Sequence, residues 1–151
     1  MMMSRSILPG QKGWMAPTGV DKSKYWFWQG VRHRCLILVE GIFDVLTPGL
    51  NGFAVALLGS KLGADLEVNI SRLPLNKVLL WLDPDEPGVL ASKRILGQLR
   101  AYGLQVERVG SYMPVVTHAG KLEMVFIPAP EPGSCTPEKA REILRGHSCY
   151  V

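Results

Sequence analysis

The chain has little of several features that would each assign it to a class of protein. No apolar run reaches the roughly 20 residues of a membrane-spanning helix, and the N-terminus lacks the apolar stretch of a signal peptide. The three cysteines, Cys35, Cys135 and Cys149, show no spacing typical of a zinc site. We therefore expect no membrane segment, no disulfide framework and no zinc. Cys35 is expected to pack as a small apolar side chain in a reduced, cytoplasmic protein.

A strong charge of one sign is also missing. The 17 Lys and Arg residues outnumber the 13 Asp and Glu residues by a net +4, which permits a polyanionic partner without requiring one. A chain of 151 residues, 47% of them hydrophobic, is long enough for one domain with a core. Residues 1–30 are rich in Gly, Pro and Lys and lack a sustained period. We interpret them as a loose arm before a folded domain at 31–151.

Short apolar runs alternate with amphipathic segments along that domain. The runs at 35–39, 52–60 and 77–83 are typical of buried strands, and 104–110 and 121–128 predict two more. Helices are expected after residue 41, where Pro48 ends the first one early, and at 63–73, 86–103 and 136–146. This alternation predicts an α/β fold with a mostly parallel sheet of four to five strands flanked by helices.

Two segments carry more detailed expectations. Asp85 is a candidate N-cap for the helix at 86–103, and Leu90, Ile95, Leu96 and Leu99 are expected to form its buried face. The aromatic run at 25–28 predicts an edge strand or flap packed on the core, with base stacking as the alternative.

Acidic side chains follow two of the predicted strands. Glu40 follows the first strand, and Asp83 and Asp85 follow the third, while Asp44 lies one helical turn after Glu40. If those strands are neighbours, the carboxylates meet at the carboxyl edge of the sheet, where ligands bind in folds of this kind. Hard cations such as Mg²⁺ prefer such oxygen ligands. The alternative is that Asp83 and Asp85 only cap a helix, which leaves Glu40 unexplained.

The stretches LILVEGIFDV, ALLGS and VLLWLDPDEPG resemble the Toprim domain, a Rossmann-like fold, in the form found in bacterial and phage DNA primases. The signature is Glu40-Gly41 after the first strand and Asp83-x-Asp85 after the third; Asp44 and Gly88 are typical of the primase branch. The resemblance covers about residues 34–109. Near the C-terminus, Glu131-Pro132 resembles an Asp-Pro of the primases, but Gly133 stands where many relatives carry another acid. Pro48 also interrupts a helix that relatives continue.

The resemblance implies Mg²⁺-dependent nucleotidyl transfer, with Mn²⁺ as a substitute metal, in the synthesis of RNA primers for DNA replication. Asp83 and Asp85 would be the main metal ligands, Asp44 a supporting ligand and Glu131 a weaker one. Glu40 would either bind metal or act as the general acid or base. Lys61, Lys93 and Arg94 are weaker candidates for contacts with nucleotide or nucleic-acid phosphate.

The expected partners are a DNA template and nucleoside triphosphates. A zinc-binding module and a replicative helicase, in the same or another chain, are implied as further partners, because relatives precede Toprim with a zinc module and a basic subdomain. Residues 1–30 would be at most a remnant of that subdomain. The chain is thus expected to be a fragment or to depend on partners, in the host cytoplasm if a phage encodes it. Two alternatives stay open: a small Toprim nuclease, and a non-catalytic module that binds metal and nucleic acid.

Overall fold

The computed structural model describes residues 18–28, 34–47, 50 and 54–149, together with the backbone of two short strands, β1 (Ser4–Arg5) and β2 (Trp14–Met15), which pair antiparallel. The main sheet contains five strands, in the order β3-β5-β4-β6-β7. Their bounds are β3 (Phe27–Trp28), β4 (Cys35–Val39), β5 (Ala54–Ala56), β6 (Lys77–Leu80) and β7 (Val106–Arg108). All neighbouring pairs are parallel except β3 with β5, so the predicted α/β fold class is confirmed.

Four α-helices flank this sheet: α1 (Ile42–Leu46), α2 (Ala64–Ser71), α3 (Glu86–Arg100) and α4 (Pro137–Gly146). Two 3₁₀ helices, Lys22–Lys24 and Pro132–Ser134, lie before and after the central elements. The early end of α1 at Leu46 agrees with the predicted effect of Pro48, a residue outside the described ones. Within the described residues, no helix has both the length and the apolar character needed to cross a membrane.

The central strands are apolar throughout because they are buried on both faces. Successive side chains of a strand point to opposite faces of the sheet. In β4, Ile37 packs on the face covered by α1 and α4, while Leu36 and Leu38 pack on the face covered by α2 and α3. The domain therefore has two apolar layers, one on each side of the sheet.

The aromatic run supplies the edge strand that the sequence predicted. Phe27 and Trp28 form β3, and their side chains pack against opposite layers of the core. The edge-strand interpretation of this run is confirmed. Half of residues 1–30 lies outside the described residues, so the domain boundary at residue 30 stays a prediction, although β3 belongs to the main sheet.

Several strands are shorter than expected, and one strand was not expected at all. The third predicted strand ends at Leu80, and Trp81 and Leu82 continue as buried chain outside the ladder. A strand that the sequence analysis missed, β8 (Gly110–Val116), pairs antiparallel with β9 (Leu122–Pro128) in a separate hairpin. Because both faces of β8 carry apolar residues and Pro114 interrupts it, the strand lacks the alternation by which half-buried strands are detected.

The expectation for the cysteines was wrong in one respect. Cys35, at the start of β4, forms a disulfide with Cys149, just after α4, and their Cα atoms lie 6.0 Å apart. The two residues are separated by 114 positions, so the spacing of cysteines along the sequence does not predict this disulfide. Both are buried, as predicted for Cys35, and Cys135 is free.

Helix α3 also corrects one core assignment. Ile95 and Leu99 are fully buried and Leu96 is partly buried, but Leu90 is 56% exposed. Leu90 lies in the first turn of the helix, where Ala91 faces the sheet instead.

Leu99→Ala should lower the free energy of unfolding by about 2–5 kcal/mol, because it leaves a cavity in a close-packed layer. Leu90→Ala is the matched control on the same helix and should change it by less than about 0.5 kcal/mol. Urea denaturation of both variants measures the difference. Equal losses would show that Leu90 is buried in solution.

Candidate metal centre at the carboxyl edge of the sheet

Strands β4 and β6 are hydrogen-bonded neighbours, with Leu38 opposite Leu80. The chain segments that follow them therefore leave the sheet side by side, as the sequence analysis required. Between these segments lies a cavity of about 630 Å³. Four of the predicted acids line it: Glu40, Asp44, Asp83 and Glu131.

Glu40 is held in a half-buried position directly after β4. Its pKa is raised to about 7, mainly because burial removes water from the carboxylate, and secondly because the negative charge of Asp83 is close. A backbone hydrogen bond from Asp83 opposes this shift. The Oε1 atom of Glu40 is buried and has no hydrogen-bond partner among the described residues. An acceptor in this state is costly unless a donor or a cation reaches it.

Asp83 shares the same environment. Burial is again the first cause of its raised pKa, which is about 6, and the charges of Asp44, Glu131 and Asp85 add to it. The raised pKa values of Glu40 and Asp83 are consistent with the position of both carboxylates in one cavity with other acids. A bound cation would neutralise these carboxylates and remove their repulsion.

Asp44 has a structural task within the cavity. Its Oδ2 accepts a hydrogen bond from the backbone N–H of Gly41 at 2.9 Å, and its Oδ1 accepts one from Gly133 at 3.1 Å. Burial raises the pKa of Asp44, and these two bonds oppose the shift. The side chain thereby fastens α1 to the 3₁₀ helix Pro132–Ser134. A Cβ at position 133 would lie 3.0 Å from Oδ1, so glycine allows this close approach.

Asp85 lies at the rim rather than in the lining. It is exposed and caps α3, where its Oδ1 accepts a hydrogen bond from the backbone N–H of Gly88 at 2.8 Å. The predicted N-cap is therefore confirmed. A Cβ at Gly88 would collide with the carbonyl oxygen of Asp83, which explains the glycine in the D-x-D-x-x-G stretch. Capping and metal binding do not exclude each other, and the role of Asp85 as a ligand stays a prediction.

Glu131 reaches the cavity from a distant part of the chain. The indole Nε1 of the buried Trp81 donates a hydrogen bond to the carbonyl oxygen of Pro130 at 2.8 Å. This contact holds the segment after β9 against the end of β6, where Glu131 is exposed at the cavity wall. The predicted position of Glu131 beside the other acids agrees with this geometry.

The loop after β5 completes the wall. Leu58 has a φ of 60° and Gly59 a φ of 156°, values that side-chain-bearing residues rarely adopt. The backbone N–H of Leu58 donates to the carbonyl oxygen of Glu40 at 2.9 Å. Both residues line the cavity, and neither was identified from the sequence.

Lys22 is the functional candidate that the sequence analysis missed. It lies in the 3₁₀ helix Lys22–Lys24 and lines the acidic cavity. A second cavity, of about 320 Å³, is lined by both Lys22 and Lys61, and Gly59 lines both cavities. The only local signal was a basic turn, DKSK, within a segment interpreted as an arm. Its proximity to Glu40 depends on the fold.

Two predicted phosphate contacts lie elsewhere. Lys93 and Arg94 are exposed on α3 and line neither of these cavities. The guanidinium of Arg94 donates to the carbonyl oxygen of Ser60, which joins α3 to the loop after β5. Their role in binding nucleic acid stays a prediction.

The carboxylates of the cavity meet only part of the needs of a divalent cation. Among the described residues, no three His, Cys, Asp or Glu side chains are placed closely enough to coordinate one ion as they stand. These side chains are nevertheless suited to a divalent cation, because the carboxylates repel one another and Glu40 Oε1 has no hydrogen-bond partner among the described residues. Mg²⁺ needs only one or two protein carboxylates and retains several waters.

The fold and the cavity together define a Rossmann-like α/β domain with an acidic site at the carboxyl edge of its sheet. A family model described as the Toprim domain matches residues 34–110, just over half of the chain. The chain belongs to the Toprim domain family, as the motifs around Glu40 and Asp83 predicted.

A solved structure has the same fold over almost the whole chain. It is the crystal structure of the Aquifex aeolicus primase (zinc binding and RNA polymerase domains), with 22% sequence identity and a TM-score of 0.60. The match covers 95% of this chain and 35% of that one, so this chain spans about a third of the primase chain. No curated protein matches the sequence.

The raised pKa values predict how stability depends on pH without metal. The folded state holds protons on Glu40 and Asp83 more tightly than the unfolded state, whose reference pKa values are 4.5 and 3.8. The stabilisation is therefore complete below about pH 4 and is lost as pH rises through about 6 and 7. Glu40→Gln should raise the melting temperature at pH 8 more than at pH 5.

Thermal unfolding in EDTA at both pH values measures this effect. Glu142→Gln, which removes an exposed carboxylate on α4, is the control for loss of one negative charge. An equal gain at pH 5 and pH 8 in Glu40→Gln would contradict the raised pKa of Glu40.

Proposed function

We propose that the chain is the catalytic Toprim core of a DNA primase-type nucleotidyltransferase that depends on Mg²⁺. One observation carries this proposal. Glu40 lies among the other carboxylates of one cavity, and its buried Oε1 atom has no hydrogen-bond partner among the described residues. Membership of the Toprim family and the fold of the Aquifex aeolicus primase support the same reaction class.

Asp83 and Asp85 would hold the metal, with Asp44 and Glu131 as weaker contributors. Two features favour Asp83 as the main ligand: it lines the cavity, and its carboxylate is repelled by three neighbouring acids. When bound, Mg²⁺ would neutralise negative charge on the phosphates and the departing pyrophosphate. Two backbone N–H groups donate hydrogen bonds to the carboxylate of Asp44. This side chain is therefore better suited to positioning the cavity wall than to moving toward the ion.

Glu40 is suited to accept a proton. In the proposed reaction, the 3′-oxygen of a primer forms a bond to the α-phosphorus of a nucleoside triphosphate. The bond from that phosphorus to the pyrophosphate oxygen breaks, and the proton of the 3′-hydroxyl passes to Glu40. A carboxylate with a pKa of about 7 can accept and later release a proton near neutral pH.

Lys22 and Lys61 are placed to bind the phosphates. Lys22 lines both the acidic cavity and the adjoining one, and Lys61 lines only the latter. A triphosphate that spans the two cavities would place its reactive end beside the carboxylates and its leaving group beside the ammonium groups. Lysine binds phosphate as a point charge.

The chain spans about a third of the primase chain that it resembles. We propose that it acts as a fragment of a larger primase or together with partner proteins. In this proposal, a DNA template is bound with help from further modules in the same or another chain, which include a zinc-binding module and a replicative helicase. Purified chain with template, labelled nucleotides and Mg²⁺ or Mn²⁺ tests the reaction. Template-dependent nucleotide incorporation supports the proposal, whereas phosphodiester cleavage would identify a nuclease and binding alone a non-catalytic module.

Asp83→Asn should weaken Mg²⁺ binding more than about tenfold, because losing even an outer partner of a metal site costs that much. Isothermal titration calorimetry measures the affinity directly and needs no partner protein. The matched control is Asp65→Asn, an exposed acid on α2 that lines neither cavity. Wild-type affinity in Asp83→Asn would remove this residue from the metal site.

Lys22→Met should weaken nucleoside triphosphate binding by about tenfold, since one charged contact is worth roughly 1.5 kcal/mol or more. Lys24→Met is the matched control, because Lys24 belongs to the same 3₁₀ helix but is exposed and lines neither cavity. Fluorescence titration with a labelled nucleotide measures both variants. An equal loss in the two would indicate a general charge effect and not a site contact.

A further inference from the structure

The hairpin β8–β9 exposes apolar side chains on both faces. Within the described residues, its two strands form a sheet of their own. One face carries Tyr112, Val116, Leu122 and Met124, and Leu122 is 65% exposed. The other face carries a second set of exposed apolar side chains: Met113, Val115, Val125 and Ile127. A two-stranded hairpin in water is only marginally stable, and apolar patches of this kind mark interaction sites.

The register shows which backbone groups point outward. Thr117 N–H donates to the carbonyl oxygen of Lys121, and Ala129 N–H to that of Val109. Antiparallel pairs alternate between hydrogen-bonded and non-hydrogen-bonded, so the even-numbered residues of the hairpin face away from their partner strand. On β9 the outward groups are those of Leu122, Met124 and Phe126, and of Pro128, which has a carbonyl oxygen but no N–H.

The two outer edges differ in protection. On β8, Pro114 lacks an N–H, and the N–H of Gly110 already donates to Nε2 of His147 at 3.3 Å. Natural proteins protect free edges with proline or with charge. On β9 the only proline, Pro128, lies at the very end of the strand, and the three outward positions before it carry large apolar residues and no charge. Among the described residues, the edge of β8 is therefore interrupted at its centre, whereas the edge of β9 is free for pairing from Leu122 to Phe126.

We propose that β9 pairs with β9 of a second copy of this chain, antiparallel and around a two-fold axis at Met124. In that register Leu122 faces Phe126 of the second copy, and Met124 faces Met124, so every outward N–H and C=O of these residues finds a partner. The result is a four-stranded sheet, β8-β9-β9-β8, in which apolar side chains meet across the seam. Such isologous pairing needs no other component.

The charge pattern of β9 favours a second copy. Its one charged residue, Glu123, faces Val125 of the second copy, so no like charges are directly opposite. The carboxylate of Glu123 also has its own neighbouring cation, Lys121, at 3.7 Å. Pairing shifted by two residues so that Glu123 faces Glu123 would be unfavourable, which excludes that register.

Sedimentation velocity of the full chain over a range of concentrations tests the pairing. The wild-type chain should form a dimer, and Met124→Lys should weaken it at least tenfold, because two ammonium groups would face each other at the axis. Met113→Lys is the matched control: the same substitution at a similarly exposed methionine on the other strand and the other face. It should leave the dimer affinity within about twofold.

A crosslink tests the register independently of stability. Met124→Cys in a Cys135→Ser background should form an intermolecular disulfide under mild oxidation, since paired Cα atoms lie about 5.5 Å apart. Val116→Cys in the same background should not. A monomeric wild-type chain, or a dimer that Met124→Lys leaves intact, would overturn the proposal. No hairpin residue lines either cavity, so these results do not depend on the proposed function.

Discussion

The repulsion between half-buried carboxylates at the end of β4 and β6 is the constraint on which the site depends. Parallel pairing of the two strands forces Glu40 and Asp83 into one cavity, and burial raises the pKa of both. Holding them there is unfavourable without a cation. The apolar layers on the two faces of the sheet supply the stabilisation that offsets this cost. Electrostatic repulsion of this kind is typical of functional sites, where the stability of the whole fold offsets a local loss of stability.

The wall of the cavity is built mainly with backbone donors rather than with side-chain cations. The amides of Gly41 and Gly133 bind Asp44, and that of Gly88 binds Asp85. Neutral donors fix the carboxylates in place without cancelling their charge. Lys22, at the boundary of the two cavities, is a cation that the carboxylates do not already use in a described salt bridge. The negative charge therefore remains available to a metal, and the positive charge to a phosphate.

The parts of the structure that the sequence predicted are those set by local physics. Buried parallel strands are apolar along their whole length, so β4 and β6 could be predicted from their apolar runs. The acidic residues directly after these strands could then be predicted as site residues. The Asp85 cap depends on residues within one turn. Lys22, the Cys35–Cys149 disulfide and the exposed position of Leu90 depend on contacts between distant segments. Strand β8 was missed because a strand without a buried face has no alternation to detect.

Gly133 explains how this site departs from the pattern that the primase resemblance implied. An acid there would add a further charge beside Asp44, and its Cβ would lie 3.0 Å from Oδ1. The backbone N–H of Gly133 binds Asp44, and the lack of a Cβ leaves room for this close approach. Negative charge at this end of the cavity then comes from Glu131, which is exposed. Because cation affinity rises with the number of charged ligands, we expect the metal to bind on the side of Asp83 and Asp85.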